Sequence, residues 1–279
     1  MILLTPAYIL SHTVTVPIWH TRIGWHTIAR GGSVSASSNH ASGYVQAPVS
    51  DQTFEWWQPT SLPAWWRVDA GEAADCDYIG IGAHDLGSKN CTIVVQSSQN
   101  DVDWTDIDGT TSLPGNDSDI MILFAETMAR YYRLRIISGD DEPKIGVIYI
   151  GKALEMIRPV RWLGHSPTRF GRVIQKTANM SERGQRLGSS LIRQGLEANF
   201  EAHNLDERWV RSTLDQWIVN SQRYGYFIAW RPTQFPLEVF FGWTDQAIVP
   251  QNSQGGINRK ITVNWPFTAH AGHEIGVYP

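Results

Sequence analysis

Carboxylates are concentrated in one short stretch of the sequence, NDVDWTDIDG at residues 100–109. An EF-hand calcium loop needs a glycine at its sixth position and a glutamate at its twelfth. Counted from Asp101, these positions hold Asp106 and Ser112, so the stretch lacks the EF-hand pattern. A looser calcium site formed by Asp101, Asp103 and Asp106 stays open, but a hairpin turn is favoured because a strand-like run precedes the stretch.

The sequence contains no recognisable motif for acid–base, nucleophilic or phosphate chemistry. It has no G-x-S-x-G elbow and no glycine-rich phosphate loop, and His270 and His273 are not part of an HExxH motif. A glycosidase needs only two carboxylates at a suitable distance. The turn-located carboxylates that could supply them are Asp69, Asp103, Asp140 and Glu142. We expect a protein that is not an enzyme.

The two cysteines, Cys76 and Cys91, are 15 positions apart and form no CxxC motif. This spacing supports neither a zinc site nor an iron–sulfur cluster, so we expect no metal and no cofactor. A disulfide between Cys76 and Cys91 stays open.

Length and composition predict a folded chain with two domains. The chain has 279 residues, of which 42% are hydrophobic and 18% charged. The net charge of -4 predicts no nucleic-acid partner. The first ten residues lack a basic segment, and no run approaches the ~18 apolar residues of a membrane span. We therefore expect no export signal and no membrane span.

β-Structure dominates the first half of the sequence. Short runs rich in β-branched and aromatic residues, bounded by Gly, Pro, Asn and Asp, predict strands. They lie at 13–16, 78–82, 91–97, 120–124, 131–137 and 145–151. Regular spacing of such strands predicts a β-sandwich.

The second half combines further strands with one amphipathic helix. Apolar residues at helical spacing predict a helix over 204–221, with Asn204 as N-cap and Glu207 completing a capping box. Strands are predicted within 169–200 and at 224–230, 237–243 and 259–265. With a boundary near 152–160, the expected divisions are an N-terminal strand or arm at 1–30, a sandwich at 31–153 and a second β domain at 154–279.

The order of elements over 31–153 resembles the discoidin family, also called the coagulation-factor type C family. The segments that carry this resemblance are WRVD at 66–69, Tyr78, Ile79 and Ile81, the hairpin residues Ser97, Ser98, Asp103 and Trp104, and RYYRLR at 130–135. The resemblance implies a galactose-binding-like jelly-roll sandwich with Trp104 as a core ring under the hairpin. The cysteine pair that usually joins the two ends of a discoidin domain is missing here.

Ligands of discoidin-like domains bind in variable loops at one end of the sandwich, so exposed aromatic residues are the candidates for a site. Phe54, Trp56 and Trp57 in FEWWQP could form a stacking platform for the apolar face of a sugar. The alternative, that these residues belong to the core or to a subunit interface, stays open.

The order of elements over 155–270 resembles the ring-forming β-sandwich or split-barrel domain of long-tailed phage distal-tail and minor tail proteins. The motifs involved are Arg169, Gly171 and Arg172, a turn at Arg186–Gly188, the helix, and the Gly242–Trp243 pair. This resemblance implies a homo-oligomeric ring, a hexamer or a trimer, that contacts other phage tail proteins. Its location would be the virion tail tip, assembled in the host cytoplasm.

The two resemblances together imply a structural protein of a phage tail tip or baseplate. Its discoidin-like module would serve adhesion to host-surface glycans or contacts between subunits. The alternative is a free-standing carbohydrate-binding or adhesin module. Thirteen tryptophans favour buried contacts between subunits, and we expect Arg169 and Arg172 to bind carboxylates of a neighbouring copy.

Overall fold

The chain is built from two β-sheets in the computed structural model, which describes residues 1–12, 16–160, 171–255 and 259–270. The seven strands of the first sheet are β1 (Ile2–Leu4), β3 (Ser33–Ala36), β4 (Ala64–His84), β5 (Thr92–Ser98), β6 (Thr105–Asp106), β7 (Ile120–Ser138) and β8 (Ile145–Gly151). The eight strands of the second sheet are β2 (Arg22–Gly24), β9 (Leu154–Glu155), β10 (Arg172–Met180), β11 (Arg186–Asp206), β12 (Tyr226–Ala229), β13 (Val239–Trp243), β14 (Gln251–Gln254) and β15 (Lys260–Ala269).

The mainly β fold class predicted from the sequence is confirmed. Each predicted strand in the described residues overlaps a strand of one of the two sheets. The segment predicted at 13–16 lies outside the described residues apart from Val16, which is not in a strand. The turn predicted at Arg186–Gly188 is wrong, since the chain reverses at residues 181–185 and all three predicted turn residues belong to β11.

The helical segments are short, and none of those described is long and apolar enough to cross a membrane. They are α1 (Pro6–Ser11), α2 (Glu207–Trp209), a π-helical turn (Val210–Leu214), α3 (Asp215–Ser221) and the 3-10 turns Ile28–Arg30 and Ala47–Val49.

The predicted helix of the second half begins at Glu207, three residues later than expected. The carboxylate of Asp206 caps it by accepting hydrogen bonds from the backbone N–H groups of Arg208 (3.0 Å) and Trp209 (3.4 Å). The predicted cap at Asn204 is wrong, because Asn204 still belongs to β11 and has φ +57° at a register shift in that strand's pairing with β15. The ladder with β15 continues to Asp206 and delays the helix.

The first sheet folds into a sandwich because β4 and β7 are long and irregular. Their antiparallel pairing shifts register between Asp69 and Ala74 and again between Cys76 and Tyr78. Apolar side chains from both halves of these strands face one core, including Trp66 and Ile79. The alternate residues of the first half of β4 face outward.

A second core lies between the second sheet and its helix. Trp217 of α3 packs against Trp265 of β15, with ring centroids 5.3 Å apart, and against Tyr226 of β12 at 5.4 Å. The amphipathic helix predicted from apolar spacing therefore covers one face of this sheet, as its pattern requires.

A third core joins the two sheets. Gly80 of β4 lies so close to Phe227 of β12 that an added Cβ would be 2.5 Å from the phenyl ring. Phe241 of β13 packs beside Phe227, and Tyr149 of β8 meets both rings edge-on. One layer of the sandwich is thus covered on both faces.

The N-terminal residues contribute to both sheets. Strand β1 pairs in parallel with β7, whereas β2 lies between β12 and β9 in the second sheet. The chain passes from the first sheet to the second between Gly151 and Leu154. The division into domains at 1–30, 31–153 and 154–279 stays a prediction, and the third core connects the parts that it separates.

The close approach at Gly80 predicts a large cost for the smallest possible side chain there. Gly80→Ala places a methyl group against a buried ring and should lower the free energy of unfolding by about 1–3 kcal/mol. Gly115→Ala is the matched control, since nothing lies within 4 Å of its added Cβ. Urea unfolding of both variants measures the difference, and equal stabilities would contradict the packing of the third core.

Two buried carboxyls lie beside the third core. Burial raises the pKa of Asp77 to about 7, although the backbone N–H of Ala153 donates to its carboxylate at 2.7 Å. Burial likewise raises the pKa of Asp119 to about 7, although the backbone N–H of Phe241 donates to its carboxylate at 2.6 Å. A carboxyl whose pKa is raised on folding stabilises the folded chain at pH values below its ordinary pKa near 4. This stabilisation is lost as the pH rises to about 7.

Asp77→Asn should therefore gain stability relative to the unchanged protein as pH rises. Between pH 5 and pH 8 the difference in free energy of unfolding should move in favour of the variant by on the order of 2 kcal/mol. His84, whose pKa burial lowers to about 4, acts in both proteins and cancels in the difference. Urea unfolding across this pH range measures this difference, with the exposed Asp108→Asn as control. If the stabilities of Asp77→Asn and the unchanged protein depend on pH in the same way, the raised pKa of Asp77 is refuted.

Candidate functional site

Loops from four parts of the chain meet at one end of the sandwich. The Nζ group of Lys89 donates to the carbonyl of Glu142 at 2.7 Å, and the side chain of Gln58 donates to the same carbonyl at 3.2 Å. The N–H of Ser88 donates to Asp117 at 2.9 Å. We call this set of segments, residues 37–63, 85–91, 113–118 and 139–144, the loop end.

Two of the three predicted platform residues lie at the surface of the loop end. Phe54 is 70% exposed, and Trp56 is half-buried with the Nζ group of Lys144 4.5 Å from its ring centroid. Tyr44 is 63% exposed, and its backbone N–H donates to the carbonyl of Trp56 at 3.0 Å. The loop end therefore presents aromatic rings beside an ammonium group.

Trp57 does not belong to this surface, so its inclusion in the platform was wrong. The residue is fully buried in the first core. Its backbone exchanges two hydrogen bonds of 2.9 Å with Ile145, and its indole N–H donates to the carbonyl of Ser38 at 2.9 Å. Because neighbouring residues of an extended segment point to opposite sides, the pairing that buries Trp57 leaves Trp56 at the surface.

The loop end also contains charged groups. Burial raises the pKa of Asp85, whose carboxylate accepts a hydrogen bond from the backbone N–H of Lys144 at 2.6 Å. The Nζ group of Lys89 lies 2.8 Å from Asp141 and, by donating to it, lowers the pKa of that exposed carboxyl to about 2. The loop end thus offers ammonium donors and carboxylate acceptors near two exposed rings.

Tyr44 and Lys144 were missed by the sequence analysis. Tyr44 follows a glycine in a Gly/Ser-rich loop, which is a turn signal that could have marked it as exposed. Lys144 precedes a strand far along the chain, and only the pairing of β8 with Trp57 brings it to the ring of Trp56.

The aspartate-rich stretch forms a hairpin at the other end of the sandwich. Asp101 has φ +65° and binds the guanidinium of Arg67, and the side-chain oxygen of Asn100 accepts from the N–H groups of Val102 and Asp103 at 3.0 and 2.9 Å. Among the described residues, no three carboxylate, cysteine or histidine side chains form a group that could hold a metal ion. The stretch is a turn in which Asp101 and Asp103 bind neighbouring side chains and Asn100 binds the backbone.

Trp104 is half-buried at the surface and was wrongly predicted as a core ring. It lies on the outward face of the sandwich, where the guanidinium of Arg133 is 4.0 Å from its ring centroid. Arg133 also donates to Gln96 at 2.5 Å. Arg133 and Arg135 alternate with the buried Leu134 along β7.

The carboxylates considered for a glycosidase lie at opposite ends of the sandwich. Asp69 binds Arg130 through both carboxylate oxygens at 2.8 and 2.9 Å, and Asp103 accepts from Asn100 at 2.8 Å. Asp140 lies at the loop end, where it accepts from Asn90 at 2.6 Å. The four candidate carboxylates are thus divided between the two ends, since Glu142 also belongs to the loop end.

The remaining predicted residues have different outcomes. Cys76 and Cys91 are buried free thiols, so no disulfide joins them. Arg172 is exposed at the start of β10, and its role in subunit contacts stays a prediction. Arg169 and His273 lie outside the described residues.

No family model and no curated protein matches the chain. Among solved structures, it is similar to chitosan-binding module 1 from a chitosanase/glucanase of Paenibacillus sp. IK-5, with a TM-score of 0.40, 16% identity, and coverage of 45% of this chain and 98% of that one. It is also similar to CpGH89CBM32-5 from Clostridium perfringens, solved in complex with GalNAc-β-1,3-galactose, with a TM-score of 0.40, 12% identity, and coverage of 44% and 96%.

A further similarity is to a putative alpha-L-fucosidase from Bacteroides thetaiotaomicron, with a TM-score of 0.39 and 17% identity; it covers 46% of this chain and 28% of the fucosidase. At these TM-scores the similarities carry no conclusion about ligand or activity. The geometry of the loop end is the basis for a functional proposal.

Proposed function

We propose that the protein is a carbohydrate-binding protein whose sandwich binds a glycan at the loop end. The observation that carries this proposal is the Phe54 ring, which is 70% exposed at a loop end where Tyr44 is also exposed. An exposed ring in contact with water is costly to the free protein, and it gains contact area when the apolar face of a sugar stacks on it.

The polar groups of the loop end suit the hydroxyl groups of a sugar. The ammonium group of Lys144 can donate to hydroxyl oxygens, and the carboxylates of Glu55 and Glu142 can accept from hydroxyl groups. Lys144 already lies over the ring of Trp56, so Phe54 is the ring available for stacking and Trp56 supports the loop. This arrangement binds without a chemical step.

Phe54→Ala should weaken glycan binding about fivefold, which corresponds to the loss of about 1 kcal/mol of stacking. Affinity electrophoresis in gels containing soluble neutral polysaccharides such as galactomannan, xyloglucan or dextran measures the retardation. Val102→Ala is the matched control, because Val102 is 78% exposed in the hairpin at the other end of the sandwich. Equal retardation of both variants would rule out the loop end as the binding site.

We propose a second role, in which the chain assembles into a ring as a structural protein of a phage tail tip. The observation that favours it is the β10–β11 hairpin. From Arg172 to Ser190 every residue except Val173 and Ser181 is exposed, including the apolar Ile174, Met180 and Leu187. We call residues 172–190 the arm; they are separate from the N-terminal strand or arm predicted at 1–30. A two-stranded hairpin is only marginally stable in water by itself, so a neighbouring surface would stabilise the arm.

Charge favours another copy of the chain as that neighbour. The arm has four basic residues and one acidic residue, whereas residues 31–153 have seventeen acidic and seven basic residues. An arm on one copy that binds the acidic half of the next is a head-to-tail contact, and such contacts close into rings when the rotation between copies allows it. The proposed hexamer or trimer, and its place at a virion tail tip, rest on this contact and on the resemblance over 155–270.

Replacing apolar side chains of the arm should abolish the ring. Light scattering at several protein and salt concentrations should show an oligomer for the unchanged protein and a smaller species for Met180→Asp with Leu187→Asp, because buried charge opposes the contact. Val219→Asp, at an exposed position of α3, is the matched control. A monomer under every condition would instead support a free-standing carbohydrate-binding module.

A further inference from the structure

A groove of about 1000 Å³ lies on the second sheet, away from the loop end. Strands β11 and β15 contribute most of the lining residues, and segments 171–173 and 245–247 supply the others. The groove therefore combines a sheet face with two flanking chain segments.

The pleat of the two strands determines which side chains face the groove. Phe200 and Trp265 point into the second core, whereas the neighbouring Asn199 and Asn264 are exposed on the other face. Asn199 is opposite Pro266 in the ladder, so Asn199 and Asn264 are diagonal neighbours within reach of one ligand.

The polar side chains of the groove have no partners within the described part of the chain. None of the following makes a side-chain hydrogen bond or an ion pair there: Arg172, Glu197, Asn199, Asp245, Asn264 and Thr268. Further along the same face, the pattern changes, since His203 lies 2.6 Å from Glu201 and 3.2 Å from the hydroxyl of Thr262. The polar side chains that line the groove are therefore free to bind a ligand.

The outward face of the sandwich provides an internal comparison. There the side chains bind one another: Arg67 pairs with Asp101, and Arg133 binds Gln96 and stacks on Trp104. Polar side chains on an exposed sheet face of this protein can therefore be paired with one another. The groove differs because its amide, carboxylate and guanidinium groups are left available.

We propose that this groove binds a neutral oligosaccharide. Each sugar hydroxyl both donates and accepts, and the groove offers amides that do both, carboxylates that accept and a guanidinium that donates. Arg172 is outnumbered by the carboxylates of Glu197 and Asp245, which disfavours an anionic ligand.

The composition of the groove also disfavours a protein partner. Protein interfaces bury an apolar centre, whereas Phe267 is only 1% exposed here and Val173 and Pro266 are half-buried. A small polar ligand fits these groups better than a second copy of the chain, whose proposed contact uses the exposed apolar side chains Ile174, Met180 and Leu187 of the arm. This site lies in the other half of the molecule from Phe54 and does not depend on it.

The test uses the full chain with Phe54→Ala, which removes the ring proposed for the loop end. This variant should still be retarded in gels containing galactomannan, xyloglucan or dextran. Adding Asn199→Ala and Asn264→Ala should weaken the remaining binding about tenfold, as expected for two lost hydrogen bonds. Adding Asn252→Ala instead is the matched control, since Asn252 is exposed on the neighbouring strand β14.

The possible outcomes separate the two sites. If Phe54→Ala alone abolishes retardation that the unchanged protein shows, the groove proposal fails and the loop end stands. If the asparagine pair removes retardation and Phe54→Ala does not, the loop end fails and the groove stands. If the two asparagine substitutions leave the retardation unchanged, the groove proposal is overturned. If their sole effect is a change in mass measured by light scattering, the groove proposal is also overturned, and the two asparagines belong to a subunit contact. Thermal melting confirms that each variant is folded.

Discussion

The close approach of the two sheets at Gly80 and Phe227 is the constraint on which the rest of the structure depends. The approach requires a residue without a side chain in β4, and it leaves little room for water between the layers. Asp119 is buried there and accepts the backbone N–H of Phe241 at 2.6 Å. A buried carboxyl without such a partner would be costly, so this hydrogen bond fixes the second sheet against the first.

This contact determines which surfaces of the sandwich remain available. One layer is covered on both faces by cores, and the outward face of the other layer is occupied by interactions among its own side chains, such as Arg67 with Asp101. Trp104 belongs to that face because Arg133 covers its ring. The Phe54 ring at the loop end remains 70% exposed.

The arm and the two proposed sugar sites have a common physical consequence. Binding of a sugar by one stacked ring or by a few hydrogen bonds is weak. Several sites held in one ring convert later binding events into intramolecular ones, and this raises the overall affinity without new contacts. On the proposed ring, the two proposed sugar sites of each copy would strengthen one another's binding in this way.

The sequence by itself determined the strands, the amphipathic helix and the faces on which their residues lie. Alternation along β4 places Trp66 inside and Arg67 outside, and this is encoded in the order of neighbouring residues. Other features depend on partners far along the chain. Trp57 is buried because it pairs with Ile145, and Asn204 is not a helix cap because β11 continues along β15. The groove likewise exists only where separate segments of the chain meet. Local periodicity is a property of short stretches, whereas burial and concavity are set by contacts between residues far apart in the chain, which only the tertiary structure decides.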